Sequence, residues 1–396
     1  LAVLDNAHCD WRGQIVRDPA AQFRKGERRV DHIVFYSPGK LAWAETTGGG
    51  VKFTTDDDVS LDVHPLGAKI ASTVFNRKVH FCSLALPPYS FNGSAWEPTK
   101  SPALASLAPA YVTAIQRRMV VAGIPGKETE IHLSRVDNEG VFPEDEDAAE
   151  SSVLRAGYIN IANILGTADQ ITGIASFEQN RLVVFTADRS FVYQIDPSIN
   201  NWQLDERANI NIGTISHNSI AHAGTDLLFC SRNGVHSVVR SEDNGILVYS
   251  QSMSDKVELT YREMLAGVED KDDVSAVFDQ DEGQYHVFFP QTGGLYSKRL
   301  TLTLNPEVGG RPRWSTGSFI NARSGAFLGG SLVFGTSGGV YDIKKIEEDG
   351  DTKPIMVAQT PILWAGSITE TKDAHSMTIQ AQGSGVLTVD AKDENG

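Results

Sequence analysis

No stretch of about 18 consecutive apolar residues, the length a membrane-spanning helix needs, occurs in this 396-residue chain. Leu1–Trp11 also lacks the basic start and long apolar core of a secretory leader. The expectation is a soluble, non-secreted protein with no membrane span, its missing initiator Met and Asn395-Gly396 end read as trimmed longer termini. Cysteine is scarce: Cys9, Cys82 and Cys230 are three, far apart, with no CxxC or Cys/His spacing. An odd, dispersed set excludes a disulfide framework and a cysteine zinc site, leaving free thiols in a reducing compartment. Basic charge is short too, with 35 Lys and Arg against 50 Asp and Glu, a net charge of -15. Gripping nucleic acid needs cations that displace counterions from phosphates, so broad adhesion to DNA is excluded by sign. The acids fall in runs, Asp56-Asp57-Asp58, Glu144-Asp145-Glu146-Asp147 and Glu347-Glu348-Asp349. Like charges in series read as solvated loops.

What the chain does have is a figure of three strand-like strokes separated by polar or glycine-rich turns. Thirty-six glycines and sixteen prolines spread along the sequence suit short strands and tight turns better than long helices. The figure is clearest in ASFEQNRLVVFTADRSFVYQID, whose strokes are 175–177, 182–185 and 191–195. It returns at 219–223, 227–230 and 235–239, with Asn233-Gly234 in the turn; at 276–278, 285–289 and 295–300; and at 324–327, 332–335 and 340–343. Weaker copies lie upstream at 33–36, 41–45 and 51–54; at 70–75 and 79–84; and at 111–114, 119–122 and 130–134. A unit of a few short strands cannot hide two apolar faces by itself, whereas a ring of such units buries both. The fold expected is therefore all-β: a β-propeller of about six to seven blades over residues 31–345, with an additional terminal β-sheet region at 346–396. Residues 1–30, locally basic through Arg12, Arg17, Arg24, Lys25, Arg28 and Arg29, read as an N-terminal docking segment.

The middle stroke is the most apolar (RLVVF, DLLFC, YHVFF, SLVFG), as a strand covered on both faces should be. Trp96, Trp202 and Trp314 follow third strokes and read as the start of an outer strand, each indole covering the neighbouring blade. Asp255–Gly267 reads as a short helix in a blade-to-blade connection, from its acidic start, Glu258 three residues on and the closing glycine.

No motif carries chemistry. DQDEGQ at 279–284 opens like a calcium loop but lacks the full ligand set, so it reads as a hairpin. His217, His222 and His236 are near in sequence, but strand alternation does not bring their rings together. Glycoside hydrolysis needs two carboxylates roughly 5–9 Å apart. Asp188, Asp226 and Asp342 are candidates for a central-axis pair, with nothing to set them above turn aspartates. FGTSGG at 334–339 lacks the Lys-Ser/Thr of a phosphate loop, and sialidase and WD40 signatures are absent. The reading assigns no catalytic, cofactor-binding or metal residue and no cofactor.

The ordered phrases ITGIASFEQNRLVVFTADRSFVYQID, IGTISHNSIAHAGTDLLFCSRNGVHSVV, SQSMSDKVEL, VSAVFDQDEGQYHVFFP and RPRWSTGSF resemble the tail-hub or nozzle proteins of short-tailed bacteriophages. The match covers about residues 165–345, extends loosely to HSMTIQAQGSGVLTVD, and rests on order rather than on any one phrase. The resemblance implies a structural virion protein of the tail, made in the bacterial host cytoplasm. It implies a homohexameric ring below the portal and adaptor, through which DNA is retained and ejected without adhesion, and to which fibres, spikes or a plug attach. The alternatives are a virion-associated propeller glycan hydrolase and a non-viral propeller interaction scaffold.

Overall fold

The computed structural model describes Val3–Asp5, Ala7–Cys9, Ile15–Arg17, Val357–Gln359 and residues 20–344, apart from 27, 48–49, 64–69, 85, 147–152, 163–168, 179, 206–210, 239–251, 294–295 and 305–312. The terminal β-sheet region read at 346–396 lies outside the described residues, apart from Val357–Gln359.

Among the described residues, seven sheets form blades that follow one another along the chain, the strands within each blade antiparallel, and Ala7–Cys9 and Ile15–Arg17 form a separate two-stranded pair. Blade 1 comprises Val30–Ser37, Lys40–Thr47, Gly50–Thr55 and Leu61–Val63; blade 2, Ile70–Phe75, Lys78–Ser83, Leu86–Phe91 and Trp96–Pro98. Blade 3 comprises Tyr111–Ile115, Arg118–Ala122, Glu130–Leu133 and Gly157–Asn160; blade 4, Ile171–Phe177, Arg181–Thr186, Ser190–Gln194 and Gln203–Leu204. Among the described residues blade 5 has three strands, Ala221–Ala223, Asp226–Ser231 and Gly234–Ser237. Blade 6 comprises Ser275–Asp279, Gln284–Pro290, Ser297–Thr303 and Arg313–Gly317, and Val3–Asp5 and Val357–Gln359 extend its sheet outward. Blade 7 takes Ala322–Leu328, Ser331–Thr336 and Gly339–Lys344 from one end of the propeller and its outer strand, Ala20–Lys25, from the other. First strands pack side by side around the ring, and that of blade 7 packs against that of blade 1.

The core follows from strand alternation. Successive side chains point to opposite faces, so a second strand wedged between two blades must be apolar on both. In Arg181–Thr186, Leu182 and Val184 join Val120 and Leu133 of blade 3, while Val183 and Phe185 join Leu227 and Phe229 of blade 5. Seven buried clusters result, one at each blade-to-blade interface, the last joining Val333 and Val340 of blade 7 to Val30, Leu41 and Trp43 of blade 1. The ring is thereby closed by packing as well as by pairing.

The outer tryptophans cover interfaces as expected. Trp96 lies 5.3 Å from the Phe53 ring of blade 1 and 5.1 Å from Phe91 of its own blade, and donates from Nε1 to Val59 O at 3.1 Å. Trp314 stands in the outer strand of blade 6 and donates to Met253 O at 3.0 Å. Trp202 immediately precedes the two-residue outer strand of blade 4 and donates to Asp196 O at 2.7 Å.

Among the described residues, two α-helices stand outside the blades. α1, Pro102–Leu107, begins where Ser101 Oγ accepts from Leu104 N at 2.9 Å with proline at its first position. α2, Glu258–Ala266, is the helix expected between blades 5 and 6; Tyr261, Met264 and Leu265 form its buried stripe. Gly267 closes it, and a Cβ there would meet the Gln291 side-chain amide.

The N-terminal segment differs from its reading. Ala20–Lys25 belongs to the ring, and its basic residues are spent within the chain: Arg24 forks onto Asp56 with bonds of 3.2 and 2.7 Å and reaches Asp342 at 3.1 Å, while Lys25 meets Asp58 at 2.7 Å. Arg29 pairs with Asp31 at 2.6 Å. The Asp56-Asp57-Asp58 run is a turn whose Asp57 and Asp58 are exposed, as read, and it also supplies ion-pair partners, with Asp57 taking Lys40 at 2.8 Å.

Candidate functional site at the ring axis

All first strands of a propeller run the same way, so their opening residues converge on one mouth of the axis. Here that mouth is polar. His32 and Ser72, on the first strands of blades 1 and 2, meet at 2.7 Å between Nε2 and Oγ. Asp31 receives Arg29 and, at 3.2 Å, Arg323 from the first strand of blade 7; the Arg323 side chain is 4% exposed. Burial lowers the Arg323 pKa, and the Asp31 charge works against that shift.

The mouth is stoppered by the chain itself. Before the short first strand of blade 5 the backbone makes a single 3-10 turn, His217–Ser219. Asn218 reaches across to donate to Ile70 O of blade 2 at 2.9 Å. The His217 ring lies 5.2 Å from Tyr111 of blade 3 and accepts from Ile174 N of blade 4 at 3.4 Å. Ser216 Oγ donates to Asp272 O at 2.8 Å, and Tyr285 of blade 6 donates to Ser219 O at 2.5 Å. Gly173 is required beside this turn, because a Cβ would come within 2.9 Å of Ile220 and 3.2 Å of Thr214. Burial pushes the His217 pKa down to about 3, with the nearby His32 adding to the shift, and burial pushes His32 down to about 4 against the pull of Asp31. Both imidazoles are neutral at pH 7, because burial outweighs the pull of Asp31 on His32.

Two small cavities lie here among the described residues. A cavity of about 10 Å³ remains between Ile70, Tyr111, His217, Asn218 and Asp272, and one of about 20 Å³ lies between blades 2 and 3 beside Lys78, His80 and Glu139. Each is the size of a water site, far below the roughly 300–1,000 Å³ of a small-molecule pocket. In the second, burial raises the Glu139 pKa, but hydrogen bonds from Lys78, its own backbone and Asn76 outweigh it and hold the carboxyl at about 2.

The aspartates proposed for the axis are elsewhere. Asp188 sits in an exposed turn, 3.3 Å from Arg232; Asp226 opens the second strand of blade 5 and accepts from Ser237 at 2.5 Å; Asp342 lies on the third strand of blade 7 under Arg24. They do not form a carboxylate pair. His217 reaches the axis, while His222 is exposed on the first strand of blade 5 and His236 packs on Phe229 at 5.8 Å. Among the described residues no group of three His, Cys, Asp or Glu is arranged to hold a metal. DQDEGQ is the hairpin expected, with Asp279 Oδ1 accepting from Asp281 N at 2.9 Å. Sequence reading missed Asp31, His32, Ser72, Asn218 and Arg323. Asp31, His32, Ser72 and Arg323 occupy the second or third positions of their first strands, Val30–Ser37, Ile70–Phe75 and Ala322–Leu328, whereas Asn218 lies in the turn before one.

No protein-family model matches the chain, and no curated protein matches it. Similar solved structures are propellers. The WD40 β-propeller domain of Doa1 is 10% identical with a TM-score of 0.50, over 83% of this chain and 97% of that one. Virginiamycin B lyase of Staphylococcus aureus is 9% identical with a TM-score of 0.49, over 82% of this chain and 100% of that one. Raptor of Chaetomium thermophilum is 12% identical with a TM-score of 0.47; the match spans 84% of this chain and 29% of Raptor's length. At such identity the Doa1 likeness bears on fold alone. The protein is an all-β, seven-bladed β-propeller.

Proposed function

We propose that the chain is a structural subunit of a short-tailed phage tail, a propeller that assembles into a homohexameric nozzle or hub below the portal and adaptor and carries fibres, spikes or a plug. DNA is retained and ejected through the assembled ring, and the subunit performs no catalysis. The observation that carries the reading is the ordered series of blade phrases over residues 165–345, whose implied fold the chain adopts. The turn at the mouth supports it: fastened to blades 2, 3, 4 and 6, it borders a cavity the size of a water site rather than a ligand pocket, which points to the outer surfaces for function. The test is electron microscopy and solution mass of the purified full chain, alone and with adaptor-type proteins of short-tailed phages. Sixfold rings are expected. A monomer under every condition overturns the assembly, and cleavage of a bacterial surface glycan overturns the non-catalytic role.

A further inference from the structure

The hairpin between the third and outer strands of blade 2 contains Asn92-Gly93, a dipeptide in which the glycine leaves the following backbone nitrogen unhindered. Asn92 here is held in one arrangement. Its Oδ1 accepts from both Ser94 N and Ala95 N, each at 2.9 Å, while its Nδ2 donates to Glu97 at 2.8 Å. Residues 92–95 are exposed. Gly93 has φ +95°, and nothing lies within 4 Å of where its Cβ would be.

We propose that this turn makes Asn92 a self-modifying site that deamidates in the folded protein. The Gly93 nitrogen, giving its proton to solvent base, attacks Asn92 Cγ and forms the new C–N bond. The carbonyl electron pair moves onto Oδ1. Two backbone N–H groups already point at that oxygen, the arrangement that stabilises an oxyanion where charge develops. On collapse the Cγ–Nδ2 bond breaks and Nδ2, taking a proton, leaves as ammonia. Water then opens the five-membered imide at either carbonyl, giving aspartate or isoaspartate. The net reaction adds one water and releases one ammonia. The product sets a carboxylate where the amide had faced Glu97, so two like charges replace a hydrogen bond at the base of the hairpin that carries Trp96 into the interface between blades 1 and 2.

Asn233-Gly234 is the internal control. It is the same dipeptide in a hairpin of blade 5, but a Cβ at Gly234 would strike Ser252 and Ser254, so its glycine is walled in. The test is peptide mapping by mass spectrometry of the full chain, incubated folded at mildly alkaline pH and, in parallel, unfolded in urea. In the folded chain Asn92 is expected to convert at least about tenfold faster than Asn233, given what a preset donor contributes to an oxyanion. In urea the two should convert alike. Equal rates in the folded chain, or an Asn92 that keeps its amide when folded over the interval in which it loses it in urea, overturn the proposal.

Discussion

His217 shows how one side chain ties local chemistry to the stability of the ring. Its imidazole is neutral in the fold because burial disfavours the cation and His32 stands nearby, with Tyr111 the ring neighbour on the other side. Its folded pKa, about 3, is below the ordinary 6.5. A lowered pKa means that the unfolded chain takes up the proton first as pH falls. The contribution is therefore complete above about pH 6.5 and is lost as pH drops from there toward about 3. Burial lowers His32, His80 and His236 as well, each to about 4, and partial burial lowers His222 too, so five histidines act in the same direction. Urea unfolding at pH 7 and pH 5 should show a marked loss of stability at the lower value. In His217→Gln that loss should shrink by on the order of 1–2 kcal/mol, since one pKa unit corresponds to about 1.4 kcal/mol. An unchanged pH 7-to-5 difference in the variant would show that His217 is not held neutral by the fold.

At the scale of elements, the strand with the weakest sequence signal closes the ring. Ala20–Lys25 pairs with Gly339–Lys344, and Arg24 and Lys25 fasten it to Asp56 and Asp58 on the next blade. Nothing in a basic, weakly patterned stretch reveals a partner more than three hundred residues away, because pairing with a distant strand leaves no local period. Second strands were legible for the opposite reason: burial on both faces writes an apolar run such as Leu182–Phe185. Outer strands such as Gln203–Leu204 and Trp96–Pro98 are too short to show alternation, and only the tryptophans marked them. α1 escaped notice because six residues hold less than two turns. The axial turn escaped because Ser216-His217-Asn218 reads as any polar loop; its role exists only once six other blades surround it. The clasp itself is testable. Its pairs are partly exposed, so Arg24→Ala should cost only about 1 kcal/mol globally. Hydrogen exchange should nevertheless accelerate at residues 20–25 and 340–344 and stay unchanged in the second strands of blades 3 and 4. High salt, which shortens the screening length, should move wild type in the same direction. Uniform acceleration across all blades would mean that the closing strand is not a separable unit.

For the molecule as a whole, charge carries the argument. The net charge is -15, and several cations of the basic N-terminal stretch are consumed: Arg24, Lys25 and Arg29 are paired with Asp56, Asp58, Asp342 and Asp31. Lys40, Lys78, Arg117 and Lys127 are paired as well, with Asp57, Glu139, Asp137 and Glu144. An ion-paired cation must give up its carboxylate before it can take a phosphate, so internal pairing depresses DNA affinity further than the net charge alone. Under the proposed function this suits a tube that must release a genome quickly, since acids within a Debye length, about 8 Å at physiological salt, repel phosphates. Titration of the assembled ring with duplex DNA at about 50 mM salt, where cationic sites bind most strongly, should give weak or undetectable binding. Breaking the clasp gives the matching control: with Asp56→Asn, Asp58→Asn and Asp342→Asn together, Arg24 and Lys25 lose their carboxylate partners and should raise affinity measurably at low salt, and the gain should vanish as salt rises. Tight, steeply salt-dependent binding by the unmodified ring would instead reveal a cationic channel, and the non-adhesive role would fall.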